Sequence, residues 1–203
     1  MTNKLKNLVV AFSALMLPLT ACATAPTPPI EGKVIEEGTN KPISGAIVVA
    51  RWQETRSGIF DSQTVCVHVE SATTDTQGRY QLPRYKGREP GLTDSYKAGY
   101  ERSPQYFATQ SHRTHTDILK PSSTSPGARL EYLSRMAVSC SHVRDIEINL
   151  LPLYKALYRE AQSIATTREQ KLKALYRLRD VERLELGTDK AWENFRRREK
   201  ELQ

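Results

Sequence analysis

Short segments rich in apolar and β-branched side chains, separated by polar turn residues, recur between residues 30 and 83, which is typical of β-strands. In one segment, Val65, Val67 and Val69 would lie on one face of a strand, with Cys66 and His68 on the other face. Gly, Asn, Asp and Pro residues between the segments predict turns. The predicted strands are residues 32–35, 46–52, 64–74 and 79–83.

The same alternation returns between Ser141 and Leu150, where Ile146, Ile148 and Leu150 are separated by polar residues. This pattern predicts one more strand, with its apolar side towards the interior. From Pro152 onward the composition changes to residues that favour helices.

Residues 152–203 have apolar side chains at spacings of three and four, which predicts an amphipathic helical tail. Thr167 and Gln170 have the spacing of a capping box, so a second helix is expected to begin there, although a single bent helix would give the same pattern. Gly187 predicts a break before a final helix that runs through Glu201. The apolar stripes consist of Leu153, Leu157, Ala161 and Ile164, and of Leu172, Leu175, Leu178 and Val181.

The amino terminus has the pattern of an export signal. Two lysines precede an apolar run from Leu8 to Leu19, which is too short to span a bilayer as a permanent helix. The run ends in Leu-Thr-Ala-Cys at residues 19–22 and resembles the lipoprotein class of signal sequence. The resemblance implies that the signal peptide, residues 1–21, is removed and that Cys22 carries a diacylglyceryl thioether and an N-acyl chain such as palmitate. An ordinary cleaved signal, with loss of Cys22, is the alternative.

Residues 22–29 are rich in proline and small residues and predict an extended tether between the lipid and the domain. The expected location is the bacterial cell envelope. Ala23 stands where Asp would retain some lipoproteins at the inner membrane, which favours the outer membrane, facing the periplasm.

The chain has 30 Lys and Arg against 23 Asp and Glu, a net charge of +7, and most of the excess outside the leader lies in the helical tail. Exposed charge on helices usually provides solubility. We expect no nucleic-acid partner, because export separates the protein from nucleic acid and no basic stripe with interleaved aromatic residues matches a known nucleic-acid-binding module.

Cys66 and Cys140 would remain as a pair after lipidation, in a compartment that oxidises thiols, which predicts a disulfide. Each cysteine is followed two residues later by a histidine, His68 or His142. Because residues i and i+2 of a strand share a face, a metal site formed by these four residues is the alternative. We favour the disulfide.

Three stretches in order resemble the carboxypeptidase regulatory-like domain: Gly-Lys-Val at residues 32–34, Lys-Pro-Ile-Ser-Gly-Ala-Ile-Val at residues 41–48, and Thr-Asp-Thr-Gln-Gly-Arg-Tyr at residues 74–80. Residues 97–100 and 146–150 are similar to that family's closing strands. The resemblance implies a mainly β fold, a seven-stranded antiparallel transthyretin-like sandwich over residues 30–151.

In such a sandwich the motif residues have structural roles. Pro42 and Gly45 would turn the chain between strands, and Asp75 and Gly78 would shape the tight turn before Tyr80 enters the core. The departure from the family is a long insertion at residues 84–136, rich in Ser, Thr, Pro and Gly.

Tyrosines with basic neighbours in this insertion suit recognition of glycans or peptides, because rings stack while guanidinium groups bind anions. The candidate ligand-binding residues are Tyr85, Tyr96, Arg102 and Tyr106. The alternative, which we favour, is that Tyr100 and Phe107 pack in the sandwich and the other side chains cover its edge.

These patterns predict a non-catalytic lipoprotein with no cofactor and a structural or binding role, anchored in a membrane and in contact with a partner protein or cell-wall polymer. A metal-binding envelope protein is the second hypothesis, based on the two Cys-x-His triplets. A small-molecule hydrolase of transthyretin-like type is the third, although the Tyr-Arg-Gly-Ser motif of those enzymes is missing from the C-terminus.

Overall fold

A computed structural model describes residues 28–57, 62–103, 115–136, 140 and 143–202. The strands are β1 (Ile30–Glu36), β2 (Ile47–Ser57), β3 (Ser62–Thr73), β4 (Arg79–Leu82), β5 (Leu92–Tyr96), β6 (Tyr100–Arg102) and β7 (Thr116–Pro121). The helices are α1 (Pro126–Arg135), α2 (Arg144–Glu147), α3 (Leu151–Ile164), α4 (Arg168–Leu186) and α5 (Thr188–Glu201), with a 3₁₀ turn at Ile148–Leu150. The predicted signal peptide lies outside the described residues.

The described strands form two sheets, one of order β4-β1-β7-β6 and one of order β3-β2-β5. Seven strands in two sheets agree with the prediction in outline. The antiparallel prediction was wrong at one place, because β1 and β7 pair in parallel, with Lys33 opposite Thr116 and Glu36 opposite Leu119. The fold is also mixed α/β and not mainly β, because the helices form a layer of their own.

The first core lies between the two sheets. Val48, Ala50 and Trp52 point into it from β2, and Val34 and Leu119 face them from the other sheet. All five side chains are at most 2% exposed. Residues 46–52 are apolar at every position except Arg51, so the sequence supplies apolar side chains to both faces of β2.

The second core lies on the opposite face of the three-stranded sheet, under the helices. Val49 and Val69 pack there against Leu153, Leu157 and Leu184, all at most 1% exposed. Strand β2 is therefore buried on both faces, which is unusual for a strand of an open sandwich. The first predicted stripe of the tail, Leu153, Leu157, Ala161 and Ile164, packs in this core. The second stripe contributes Val181, whereas Leu172, Leu175 and Leu178 are only partly buried and lie outside the core.

The motif residues shape the first hairpin connections. Gly78 has φ of +69°, and a side chain there would place Cβ 2.6 Å from the carbonyl oxygen of Val34. The Asp75 carboxylate accepts hydrogen bonds from the backbone N–H groups of Gln77 and Arg79, both at 2.8 Å. Tyr80, 3% exposed, then enters the core.

The other two motif residues, Pro42 and Gly45, lie in the connection between β1 and β2. Pro42 forms an isolated bridge with Ile35, and Gly45 has φ of +67°. Both serve the turn between β1 and β2, in keeping with the roles that the resemblance implies.

The strand predicted at residues 141–150 was wrong, since residues 144–150 form α2 and the 3₁₀ turn. In this segment the alternation of apolar and polar residues does not match which side chains are buried and which are exposed. Glu147 is fully buried and Ile148 is 38% exposed. The Glu147 carboxylate accepts a hydrogen bond from the Cys140 backbone at 2.6 Å and pairs with Arg183 of α4 at 2.7 Å. A polar residue with such partners belongs in the interior, against the simple apolar pattern.

The helix boundaries in the tail follow the sequence signals. Thr167 and Gln170 form a reciprocal capping box, so α3 and α4 are separate helices and not one bent helix. Gly187, with φ of +94°, ends α4, and α5 runs from Thr188 to Glu201.

The segment predicted as an insertion, residues 84–136, supplies β5, β6, β7 and α1. Strand β5 completes the three-stranded sheet and β7 lies between β1 and β6. This segment is therefore part of the framework of both sheets.

Replacing Leu157 with alanine is expected to lower the free energy of unfolding by about 2–5 kcal/mol, because it leaves a cavity between the helices and the sheet. Urea unfolding followed by circular dichroism measures this. Arg159→Ala, at an exposed position on the same helix, is the control and should change stability by less than about 0.5 kcal/mol. Equal effects of the two substitutions would contradict the packing of the tail on the sheet.

Candidate functional site

The two candidate cysteines are joined to each other. Cys66 of β3 and Cys140 form a disulfide, with their Cα atoms 5.1 Å apart. Cys140 is fully buried, and Cys66 packs against the core under the helices. The bond ties the edge strand β3 to the chain that leads into the helical layer.

A β-bulge separates Cys66 from His68. Trp52 is opposite His68 and the next residue, Gln53, is opposite Cys66, so Val67 is the extra residue on β3. As a result Cys66 faces the helices, whereas His68 contacts Trp52 on the sandwich side. The prediction that Cys66 and His68 share a face was wrong, and so was the grouping of Val67 with Val69, which lie in different cores.

The structure does not bring the predicted metal ligands together. Both sulfur atoms are bonded to each other, so neither is a thiolate ligand. His68 lies on the opposite face, and His142 lies outside the described residues. Within the described ranges there is no group of three or more His, Cys, Asp or Glu residues placed to hold a metal ion.

His68 belongs instead to a small aromatic stack. Its ring lies 4.2 Å from that of Tyr85 at an interplanar angle of 15°, and 5.3 Å from that of Trp52. Its Nε2 atom is 3.0 Å from Oε1 of Glu70. The Trp52 indole donates a hydrogen bond to the Arg88 carbonyl at 3.0 Å, which fixes the chain around Tyr85.

Tyr96, a predicted ligand-binding residue, is buried beneath the helices at 3% exposure. Its hydroxyl donates to Oε2 of Glu160 on α3 at 2.6 Å, and burial raises the pKa of this hydroxyl far above its usual range. Burial opposes ionisation of Glu160, but hydrogen bonds from Arg129, Tyr96 and the Gly99 backbone outweigh it and lower the pKa of that carboxyl. Tyr96 therefore links a helix to the sheet and contacts no ligand from solvent.

Arg102 also has an internal role. Its guanidinium pairs with Asp94, which Arg51 contacts at 2.7 Å, and its backbone N–H donates to the Tyr132 hydroxyl of α1 at 3.0 Å. Tyr106 lies outside the described residues. The predicted ligand-binding residues therefore do not form one site within the described chain, and Tyr85 is the one that lies at the surface end of a stack.

A surface cluster of arginine and aromatic side chains lies between α4 and α5, and the sequence interpretation missed it. We call Tyr176, Arg179, Trp192 and Phe195 the arginine–aromatic cluster. The Arg179 guanidinium lies 4.5 Å from the Trp192 ring and 5.1 Å from the Tyr176 ring. Phe195 is buried and packs on both rings, at 4.7 and 5.6 Å.

Tyr176 and Trp192 stay 37% and 39% exposed, so the cluster offers two ring surfaces beside a cation. Arg177 and Arg179 share a single carboxylate, that of Asp180, at 3.2 and 2.9 Å. These three side chains together carry a net positive charge, with Arg177 and Arg179 13% and 21% exposed. One sequence pattern could have revealed the cluster. Tyr176 and Arg179 are three residues apart, as are Trp192 and Phe195, so each pair lies on one face of its helix. The two pairs lie on either side of the break at Gly187.

A buried carboxylate lies between the two sheets, apart from the His68–Tyr85 stack and from the arginine–aromatic cluster. Asp117 of β7 is 3% exposed and accepts a short hydrogen bond from the Ser95 hydroxyl of β5. Burial raises the pKa of Asp117, although the Ser95 hydrogen bond and the charge of Arg102 act in the opposite direction.

No family model and no curated protein matches this chain. A solved structure, that of a 9R-lipoxygenase from Cyanothece PCC8801, is similar at a TM-score of 0.23 and 16% sequence identity. The similarity covers 72% of this chain and 26% of that enzyme. A TM-score this low carries no argument about fold or activity. None of the helices in the described ranges is long and apolar enough to cross a membrane.

Removing the disulfide with Cys66→Ala and Cys140→Ala is expected to lower the free energy of unfolding by about 4 kcal/mol, on the loop-closure estimate for a separation of 74 residues. Denaturant unfolding with and without reductant measures this. Reductant should destabilise the parent protein and leave the double variant unchanged. Two reactive thiols or a bound transition metal in the freshly isolated parent protein would contradict the bond.

Asp117→Asn is expected to stabilise the protein at pH 7, because the raised pKa means that folding disfavours the ionised carboxylate. Near pH 3, below the usual pKa of about 3.9, both states bind the proton and the penalty disappears. The gain over the parent protein should therefore shrink as the pH falls from 7 to 3, which thermal unfolding at several pH values measures. A variant that is less stable at pH 7 and equal at pH 3 would contradict this.

Proposed function

We propose that the protein is a non-catalytic lipoprotein of the bacterial envelope, anchored through Cys22, which binds cell-wall polymer through the arginine–aromatic cluster. The exposed rings of Tyr176 and Trp192 beside Arg179 are the observation that carries the proposal. The proposed place is the outer membrane, facing the periplasm.

The first step concerns which surface remains for a ligand. The first apolar stripe of the tail is buried against the three-stranded sheet, so Leu153 and Leu157 serve the fold. Tyr176 and Trp192 are large aromatic side chains that the fold leaves partly exposed. Exposed rings of this kind are more informative than exposed charge, because charge on helices usually provides solubility.

The second step concerns the chemistry of the ligand. Cell-wall glycan has sugar rings, which stack on aromatic faces, and carboxylates on its peptide stems, which guanidinium groups bind. Arg179, 21% exposed, shares the Asp180 carboxylate with Arg177, so these three side chains have a net positive charge that attracts such a carboxylate.

The envelope location rests on the sequence. The signal ending at Cys22 resembles that of lipoproteins, and the disulfide between Cys66 and Cys140 fits an oxidising compartment. The turn motifs at residues 41–48 and 74–80 are the basis for proposing a carboxypeptidase regulatory-like domain.

A partner protein is the second candidate ligand. Val143, Ile148 and Leu186 are 50%, 38% and 54% exposed. They flank one junction, because Arg144 donates hydrogen bonds to the carbonyls of Leu184 and Glu185 at the end of α4. Exposed apolar side chains around a fixed junction suit contact with another protein.

Co-sedimentation with purified cell-wall sacculi tests the main proposal. Tyr176→Ala with Trp192→Ala is expected to reduce the bound fraction about tenfold or more, because both stacking surfaces are lost. Leu186→Ala changes one of the exposed apolar side chains beside Arg144, outside the arginine–aromatic cluster. This variant is the matched control and should bind as the parent protein does.

A parent protein that does not sediment with sacculi, or a double variant that sediments equally well, would contradict polymer binding. Thermal unfolding of the variants excludes loss of folding as the cause, since Tyr176 also packs on Phe195. Mass spectrometry of the amino terminus tests the anchor at Cys22 separately.

A further inference from the structure

The position of the first described residue limits how far the domain can lie from its lipid anchor. Six residue-to-residue steps lead from Cys22 to Pro28. At about 3.3–3.6 Å per residue, this stretch reaches at most about 22 Å. The part of the domain around Pro28 therefore lies close to the membrane in which Cys22 is anchored.

The strand register shows which residues share this end. β1 begins where β4 ends, with Ile30 opposite Leu82. Just beyond β4, Arg84 donates a hydrogen bond from Nε to the Pro28 carbonyl at 2.9 Å. The turn that follows, Tyr85 to Arg88, is thus at the tethered end of the domain, and we call it the basic turn.

The basic turn has a fixed shape. Tyr85 and Arg88 form an antiparallel bridge, with the Arg88 N–H 3.0 Å from the Tyr85 carbonyl. The two central residues, Lys86 and Gly87, have φ of +50° and +72°, as in the tight turns of β-hairpins. The Tyr85 ring is held from behind by its stack on His68.

The side chains of the turn suit a lipid headgroup layer. Lys86 is exposed, with its ammonium 5.0 Å from the centre of the Tyr85 ring, and Arg88 is 64% exposed. Tyrosine prefers the boundary between water and lipid, and basic residues are attracted to anionic headgroups.

Acidic neighbours limit this charge but do not cancel it. Glu89 pairs with Arg84 at 3.0 Å, and Glu54 pairs with Arg88 at 3.4 Å across exposed surface. Exposed pairs of this kind are weak, so phosphate groups can compete for the guanidinium groups. Lys86 adds a further cation at the tip of the turn.

We propose that the basic turn docks on anionic phospholipid headgroups of the anchoring membrane and sets the orientation of the domain. The proposal rests on the lipid anchor of the proposed function. The anchor supplies proximity, and Tyr85, Lys86 and Arg88 supply a second, weaker contact. With the tethered end held down, the opposite end of the sandwich points away from the bilayer.

Hydrogen–deuterium exchange of the full, acylated mature protein tests this. The protein is incorporated into vesicles of phosphatidylethanolamine with phosphatidylglycerol, or of phosphatidylcholine alone. We expect the amides of residues 84–89 to exchange about fivefold more slowly on the anionic vesicles. The protection should disappear at about 1 M salt, where the Debye length is about 3 Å.

Lys86→Glu with Arg88→Glu should abolish the protection. Arg168→Glu with Lys171→Glu makes the same charge change at the start of α4 and should keep it. That position lies beside the start of α1, since Gln170 is next to Gly127, and α1 follows the end of β7, away from Ile30. Acidic residues at a helix N-terminus also favour the helix, so this control is expected to fold.

Mass spectrometry of the same sample reports acylation of Cys22. An unmodified amino terminus would overturn the anchor and thereby the proposed function. An acylated protein with equal exchange on both kinds of vesicle, or equal protection in the Lys86→Glu, Arg88→Glu variant, would overturn the docking of the basic turn and leave the anchor intact.

Discussion

Burial of strand β2 on both faces is the constraint on which the other layers depend. Val48, Val49 and Ala50 are consecutive and each is at most 1% exposed, so neither face of the strand can be left to water. One face requires the four-stranded sheet and the other requires the helices. The helices at residues 151–164 and 168–186 are therefore as much a part of this fold as the sandwich, although they differ from it in composition.

Buried charged pairs determine how the helical layer sits on this surface. Glu160 accepts hydrogen bonds from Arg129, Tyr96 and the Gly99 backbone, which joins α1 and α3 to the end of β5. Apolar contacts alone allow helices to slide across a sheet, whereas hydrogen-bonded charges are satisfied in one arrangement. We infer that Glu160, together with the buried Glu147, selects one register of helices on the sheet.

Local signals predicted much of this fold, and long-range contacts account for what they missed. The capping box at Thr167 and the break at Gly187 depend on neighbouring residues only, and both are present in the structure. The strand predicted at residues 141–150 failed because Glu147 finds its partner on α4, which no local pattern reveals. The arginine–aromatic cluster was missed for the same reason, since its two halves meet only when α4 and α5 pack together.

The bulge at Val67 and the disulfide have a consequence for how the molecule matures. Cys140 precedes the last three helices in the chain, so a chain that ends before these helices still contains both cysteines of the disulfide. In such a chain Val49 and Val69 would lack the cover of the helices even with the disulfide formed. Formation of the disulfide is thus no measure of complete folding in this protein. A chain that lacks its C-terminal helices could contain the native disulfide and still expose an apolar, aggregation-prone sheet face to water.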